Sequence, residues 1–254
     1  MKIKKFFANL ICGFIPSKTK RKQLRNELMN SNNFASKTFD KLNNNKFLTI
    51  SQNGTRLDDK EIPGLKVHFN GKNSIVKIHK PTNFKNCNFS LGDNCYIEID
   101  STKTTIKNLI ISTRFSSQVV IGRDFSCISC NLELHDEANT KILIGEDCQF
   151  SYGINIRTSD GHAIYDTNTG EILNVPKGKI EIGNHVWVGM HTKILKDVHI
   201  SDNSIIGAGS IVTKSFDEPN VIIAGTPAKI VKHNVNWNRK NTDHFKTTPS
   251  KLSN

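Results

Sequence analysis

The chain is short of apolar side chains, which make up 36% of its 254 residues. That is low for a conventional globule of this length and favours small repeating units, each burying about two side chains. Its six cysteines, Cys12, Cys87, Cys95, Cys127, Cys130 and Cys148, lack the spacing of a secreted disulfide framework. Cys127-Ile-Ser-Cys130 is a lone CxxC with no second pair, which argues against a zinc knuckle. Reduced thiols filling small interior positions are the expectation, and with them a cytoplasmic protein. His185, His191 and His199 lie six and eight residues apart and make no three-histidine constellation, so no metal is expected. Acidic residues are scarce at both ends. Residues 1 to 26 hold eight Lys or Arg and no acid, and residues 229 to 254 hold six against the single Asp243. The middle is close to neutral. Basic and aromatic residues are not interleaved on a common surface, so nucleic acid is not needed to explain the net charge of +12.

What the chain does have is a repeat. From Ile182 to Asp217 an aliphatic residue opens six consecutive hexads, at Ile182, Val188, Ile194, Ile200, Ile206 and Val212. Val186, Thr192, Val198, Ser204, Ser210 and Phe216 recur at the same step and are mostly small or β-branched, with Gly, Asn and Asp between them. A period of six fits neither an amphipathic helix nor a hairpin strand; it predicts a parallel β-helix, one short strand and turn per hexad. Three hexads make a coil, so Ile182 is expected to stack on Ile200 and Val188 on Ile206.

Taken in order, residues 1–30 place Phe6, Phe7, Leu10, Ile11, Phe14 and Ile15 at helical spacing between basic flanks. This predicts an amphipathic helix, too short to span a bilayer. No small-x-small cleavage site follows it, against a secretory signal. Two roles fit: peripheral contact with an anionic membrane at the inner face of the cell membrane, or a cap on the end of the solenoid or on a neighbouring subunit. Residues 31–70 read as a variable lead-in. The β-helix is expected over 71–218, starting near 65 to 75. Leu91 and Ile121, thirty residues apart, suggest that hexad register holds even where individual hexads are degenerate. The period breaks over 158–179, a segment that must loop out of the coil, and such loops carry binding or chemistry. Residues 219–254 form a short C-terminal extension with a basic tail.

The regular hexads, the looped-out Ser159-Asp160-Gly161-His162, the coil around Trp187 and the ending Ala224-Gly225-Thr226-Pro227-Ala228-Lys229 together resemble the left-handed β-helix acyltransferases. Within that group they are most similar to the O-acetyltransferases of bacterial capsule and lipopolysaccharide synthesis. The resemblance covers roughly residues 75 to 240. It implies an all-β solenoid, a left-handed parallel β-helix, assembled as a homotrimer with acetyl-coenzyme A between neighbouring solenoids. Acetyl would pass directly to a hydroxyl of a saccharide or polysaccharide acceptor. His162 matches the family's catalytic histidine, a base for a hydroxyl too weakly acidic to attack a thioester unaided. Trp187 matches an aromatic of the active-site cleft. Asp160 or Asp166 could hold the imidazole in its reactive tautomer, and the sequence leaves both open. Gly207 and Ala208 suit close approach of the pantetheine arm. Lys214, Thr226 and Lys229 fall by analogy at the coenzyme, the lysines toward its phosphates.

Other activities fit parts of the pattern. An amino sugar nucleotide could be N-acetylated with the same histidine. The basic surface could equally recruit an acidic polysaccharide such as polysialic acid. A non-enzymatic binding scaffold leaves His162 and the GTPAK ending without a role.

Overall fold

The computed structural model describes residues 43–57, 59 and 61–247; the expected N-terminal amphipathic helix lies outside them. From Lys46 onward the chain winds through short parallel strands that stack in three columns, giving a three-sided solenoid. Face one stacks β1 (Lys46–Ile50), β4 (Ile75–His79), β7 (Tyr96–Ile99), β10 (Gln118–Ile121), β13 (Lys141–Ile144), β16 (Lys179–Ile182) and β19 (His199–Ile200). β2 (Arg56–Leu57) adds to its edge, antiparallel to β1. Face two begins with β5 (Asn83–Lys85) and β8 (Thr105–Lys107) and goes on through β11 (Ser126–Cys127), β14 (Gln149–Phe150), β17 (Trp187–Val188), β20 (Ile205–Ile206) and β22 (Ile222–Gly225). Face three stacks β3 (Leu65–Phe69), β6 (Cys87–Leu91), β9 (Leu109–Thr113), β12 (Cys130–Leu134), β15 (Ile154–Arg157), β18 (Lys193–Ile194) and β21 (Ile211–Val212). β23 (Ala228–Lys232) turns back antiparallel to β22, and a six-residue helix, α1 (Thr242–Thr247), follows.

The expected stacking is present: Ile182 pairs with Ile200 and Val188 with Ile206. The hexad openers point inward and are fully buried, as are Val186, Thr192, Ser204 and Ser210 beside them. The buried hydroxyls remain satisfied, Thr192 donating to Gly189 O at 2.8 Å and Ser210 to Gly207 O at 2.7 Å. Cys87, Cys95, Cys127, Cys130 and Cys148 are free thiols and all buried. Burial pushes Cys127 and Cys148 up to about 12.

Two expectations about the early coils change. Ile75 pairs with Tyr96, Tyr96 with Gln118 and Gln118 with Lys141, so these coils take 21, 22 and 23 residues rather than 18. Leu91 stands on face three and Ile121 on face one, so hexad register does not run between them. The strands there reach four or five residues on faces one and three but only two or three on face two, and the turns absorb the remainder. The first sheet also reaches back to Lys46, which pairs with Ile75 inside the predicted lead-in.

The turns explain the Asn, Asp and Gly between hexads. Where the chain passes from face one to face two, a residue with φ near +55° to +60° stands two places before the next strand, at Asp124, Asp147, His185, Asn203 and Asn220. The third corner repeats this at Asn73, Asn94, Ser116, Asn139 and Asp197. Asn and Asp tolerate the left-handed region better than other side chains, which is why they recur.

Candidate active site

The looped-out segment leaves face three after Arg157 and rejoins face one at Lys179, at the third corner. It is a small hairpin. Tyr165 bridges antiparallel to Ile172, Leu173 N–H donates to Ile164 O at 2.7 Å and Asp166 N–H to Glu171 O at 2.8 Å. Asn174 closes its base, its amide donating to Asp160 Oδ2 and to His162 O, both at 2.9 Å, while its Oδ1 accepts from Ile164 N–H at 2.8 Å. Lys196 Nζ bonds Asn174 O at 2.7 Å and also the Asp160 carboxylate. Asp197 Oδ1 accepts from Lys177 N–H at 2.7 Å. Each of these fasteners belongs to the hairpin or to the same corner one coil on.

The His162 backbone is therefore fixed, and its side chain is exposed with no hydrogen bond to the imidazole among the described residues. Neither aspartate candidate is turned to it. Hydrogen bonds from Lys196 and Asn174 hold the Asp160 carboxyl below its usual range. Asp166 accepts from the backbone of Asn168 and Thr169 at 2.7 and 2.9 Å, capping its own turn, and these bonds lower its carboxyl too. Ile164, Tyr165, Ile172, Leu173 and Val175 stand 52 to 66% exposed on the hairpin. Such a set of large apolar groups on one protrusion marks a surface made to be covered.

Trp187 stands elsewhere. It lies outward on face two between Gln149 and Ile205, 39% exposed, while the hairpin springs from the opposite corner of the triangle. One chain thus does not bring His162 and Trp187 together. The coenzyme candidates divide in the same way. Gly207 and Ala208 make the corner between faces two and three, and Thr226 the turn between β22 and β23 above it. A β-carbon on Gly207 would stand 2.9 Å from Ala224 Cβ, and one on Gly189 only 2.6 Å from Ala208 N, so this corner closes tightly because it lacks side chains. Lys229 is exposed on β23. Lys214 instead sits at the third corner with the hairpin, its Nζ 5.7 Å from the Phe216 ring centroid.

His185, His191 and His199 occupy the first corner, the second corner and face one. His191 packs edge-on against Tyr152, and His199 lies 3.8 Å from Glu181. His185 belongs to a cluster that the sequence does not single out. Its ring stacks on Trp237, centroids 4.3 Å apart and 11° from parallel, and its Nδ1 meets Asp147 Oδ2 at 2.6 Å. Trp237 reaches to 6.0 Å from the Trp187 ring. The one sequence signal was a second tryptophan in an otherwise polar tail.

The family model "Bacterial transferase hexapeptide (six repeats)" matches residues 179–214. The polysialic acid O-acetyltransferase of Neisseria meningitidis is 37% identical over 164 residues, 59% of this chain and 74% of that relative. The galactoside O-acetyltransferase of Escherichia coli (strain K12) is 37% identical over 120 residues, 46% of this chain and 55% of the relative. The chain spans about half the length of the first curated relatives it matches. Among solved structures, the polysialic-acid-specific acetyltransferase NeuO superposes with a TM-score of 0.67 at 32% identity, over 78% of this chain and 86% of that one. With this coverage and the hexapeptide solenoid beneath it, the chain belongs to the hexapeptide-repeat acyltransferase family.

Proposed function

We propose that the protein transfers acetyl from acetyl-coenzyme A to a hydroxyl of a bacterial surface-polysaccharide sugar, in capsule or lipopolysaccharide synthesis. The observation that carries this reading is the exposed His162 on a tethered hairpin, in a chain 37% identical to a polysialic acid O-acetyltransferase over most of that relative. In the reaction the His162 imidazole takes the acceptor hydroxyl proton as the oxygen attacks the acetyl carbonyl. The thiolate of coenzyme A then leaves and receives that proton. The Trp187 indole N–H is a donor for the oxyanion that develops on the carbonyl.

The opposed placement of His162 and Trp187 supports a site built between copies. Around a threefold axis the hairpin and Lys214 of one solenoid would face Trp187, the Gly207-Ala208 corner, Thr226 and Lys229 of the next. The apolar hairpin would lose its exposure in that contact. Asp160 in this reading ties the hairpin to Lys196 and so positions His162 through the backbone.

The test is acetyl-coenzyme A turnover against a panel of capsular and O-antigen saccharides, amino sugar nucleotides included, with the native chain and His162→Ala. Acetyl ester formation on a saccharide that disappears in the variant is expected. Acetylation confined to amines would replace the O-acetyl reading, and undiminished turnover in His162→Ala would remove the histidine from the mechanism.

A further inference from the structure

After β23 the tail doubles back along the first corner, against the winding of the coils. His233 Nδ1 meets Glu218 Oε1 at 2.6 Å, and Val235 N–H donates to Asn220 O at 2.9 Å. Trp237 then lies flat on His185. Its indole N–H donates to His185 O at 2.8 Å, and His185 Nε2 lies 3.1 Å from Trp237 O. Arg239 fastens the end. Its Nε donates to Asp147 Oδ1 at 2.7 Å, Nη1 to Ser126 Oγ at 2.8 Å and Gln149 Oε1 at 3.3 Å, and Nη2 to the carbonyls of Asp124 at 2.9 Å and Cys148 at 3.2 Å. Five acceptors match the five N–H groups of a guanidinium, so this arginine is a rivet and keeps no donor for a ligand.

The rivet fixes one thing on the outer surface, the Trp237 ring. It lies 6.0 Å from Trp187, their planes 43° apart, and together they form an angled aromatic wall on face two. A tail serving only to cover the corner would bury its largest side chain, whereas Trp237 stays half-buried beside a Trp187 that is itself exposed. His185 covers one face of the Trp237 ring, the Arg239 guanidinium carbon lies 5.8 Å from its centroid and its N–H is already used, so what the ring still exposes is carbon surface. Held rigid in advance, an aromatic surface of this kind binds at little ordering cost. The apolar C–H face of a pyranose is the part of a saccharide that fits it, whereas a hydroxyl edge would find no donor on Trp237.

We propose that Trp237 belongs to the acceptor site, forming with Trp187 the wall that receives a sugar ring. The inference rests on the reading of this protein as a saccharide O-acetyltransferase. The chain has two tryptophans in all, so its tryptophan fluorescence reports on this wall alone. In full-length Trp187→Phe, titration with oligosialic acid, and then with the other saccharides of the panel, should change the emission of Trp237 saturably. In Trp237→Ala the acceptor KM should rise about tenfold with the KM for acetyl-coenzyme A unmoved, and Trp237→Phe should recover part of the loss. A KM shift for both substrates would mark a structural role only and overturn the proposal. So would emission that responds to no saccharide, or an acceptor KM that stays constant in a Trp237→Ala enzyme that still acetylates. Saccharide binding at Trp237 without acetyl transfer would leave this site standing and reject the proposed reaction.

Discussion

In the proposed reaction His162 would act as an imidazole within reach of a hydroxyl, and general-base assistance of that kind contributes about 10² to 10⁴ in rate. His162→Ala should lose a factor in that range while the fold and coenzyme binding persist, because the side chain holds nothing else among the described residues. A second residue-scale expectation concerns acid. Glu98 Oε1 is 2.8 Å from both Lys77 Nζ and His79 Nε2, and Tyr96 donates its hydroxyl to the other oxygen. Burial pushes this carboxyl up, but the three hydrogen bonds together outweigh it and hold the group at about 2, against an ordinary 4.5. A folded value below the unfolded one means that the contribution is complete above about 4.5 and is lost as pH falls toward about 2. Solvent screening limits it to about 1 kcal/mol. Denaturant titrations of the native chain and Glu98→Gln should therefore differ by about that amount at neutral pH and converge between 4.5 and 2. A gap independent of pH would assign the effect to packing.

At the scale of the element, the turn carries as much specification as the strand. Asn203 holds φ at 58° with its N–H on Asn184 O at 2.9 Å. Asn203→Val should cost about 1–2 kcal/mol, since a β-branched side chain is forced into the left-handed region, whereas Asn203→Gly should be close to neutral. Thermal denaturation of the two variants checks the ordering, and equal losses would mean that the asparagine side chain itself matters. This division also explains what was legible. The hexads from Ile182 to Asp217 gave their stacking correctly because strand and turn there share one fixed length. The earlier coils did not, because 21 to 23 residues per coil leave no constant step for a pattern to show. The hairpin was visible as an interruption of the period. The partners of Asp160 and the stacking of Trp237 on His185 were not, since contacts across 36 and 52 residues leave no local spacing.

At the scale of the whole molecule, the separation of His162 from Trp187 would, in the proposed trimer, make activity a property of the assembly. Ile164 and Leu173 are hydrogen-bonded neighbours at the hairpin and both are more than half exposed. Replacing both with Ser should shift sedimentation from trimer toward monomer and remove acetyl transfer in proportion. A trimer that persists would locate the contact elsewhere. The tail has a different consequence. Ordinary solenoids are stacks in which each unit knows only its neighbours, so the terminal coil peels first and the rest follow one by one. Here Arg239, beyond the last coil, is bonded to Asp124, Ser126 and Asp147, up to 115 residues earlier. The final turns are thereby stapled across their own length, so the last coil can peel away only after the bonds of Arg239 are broken.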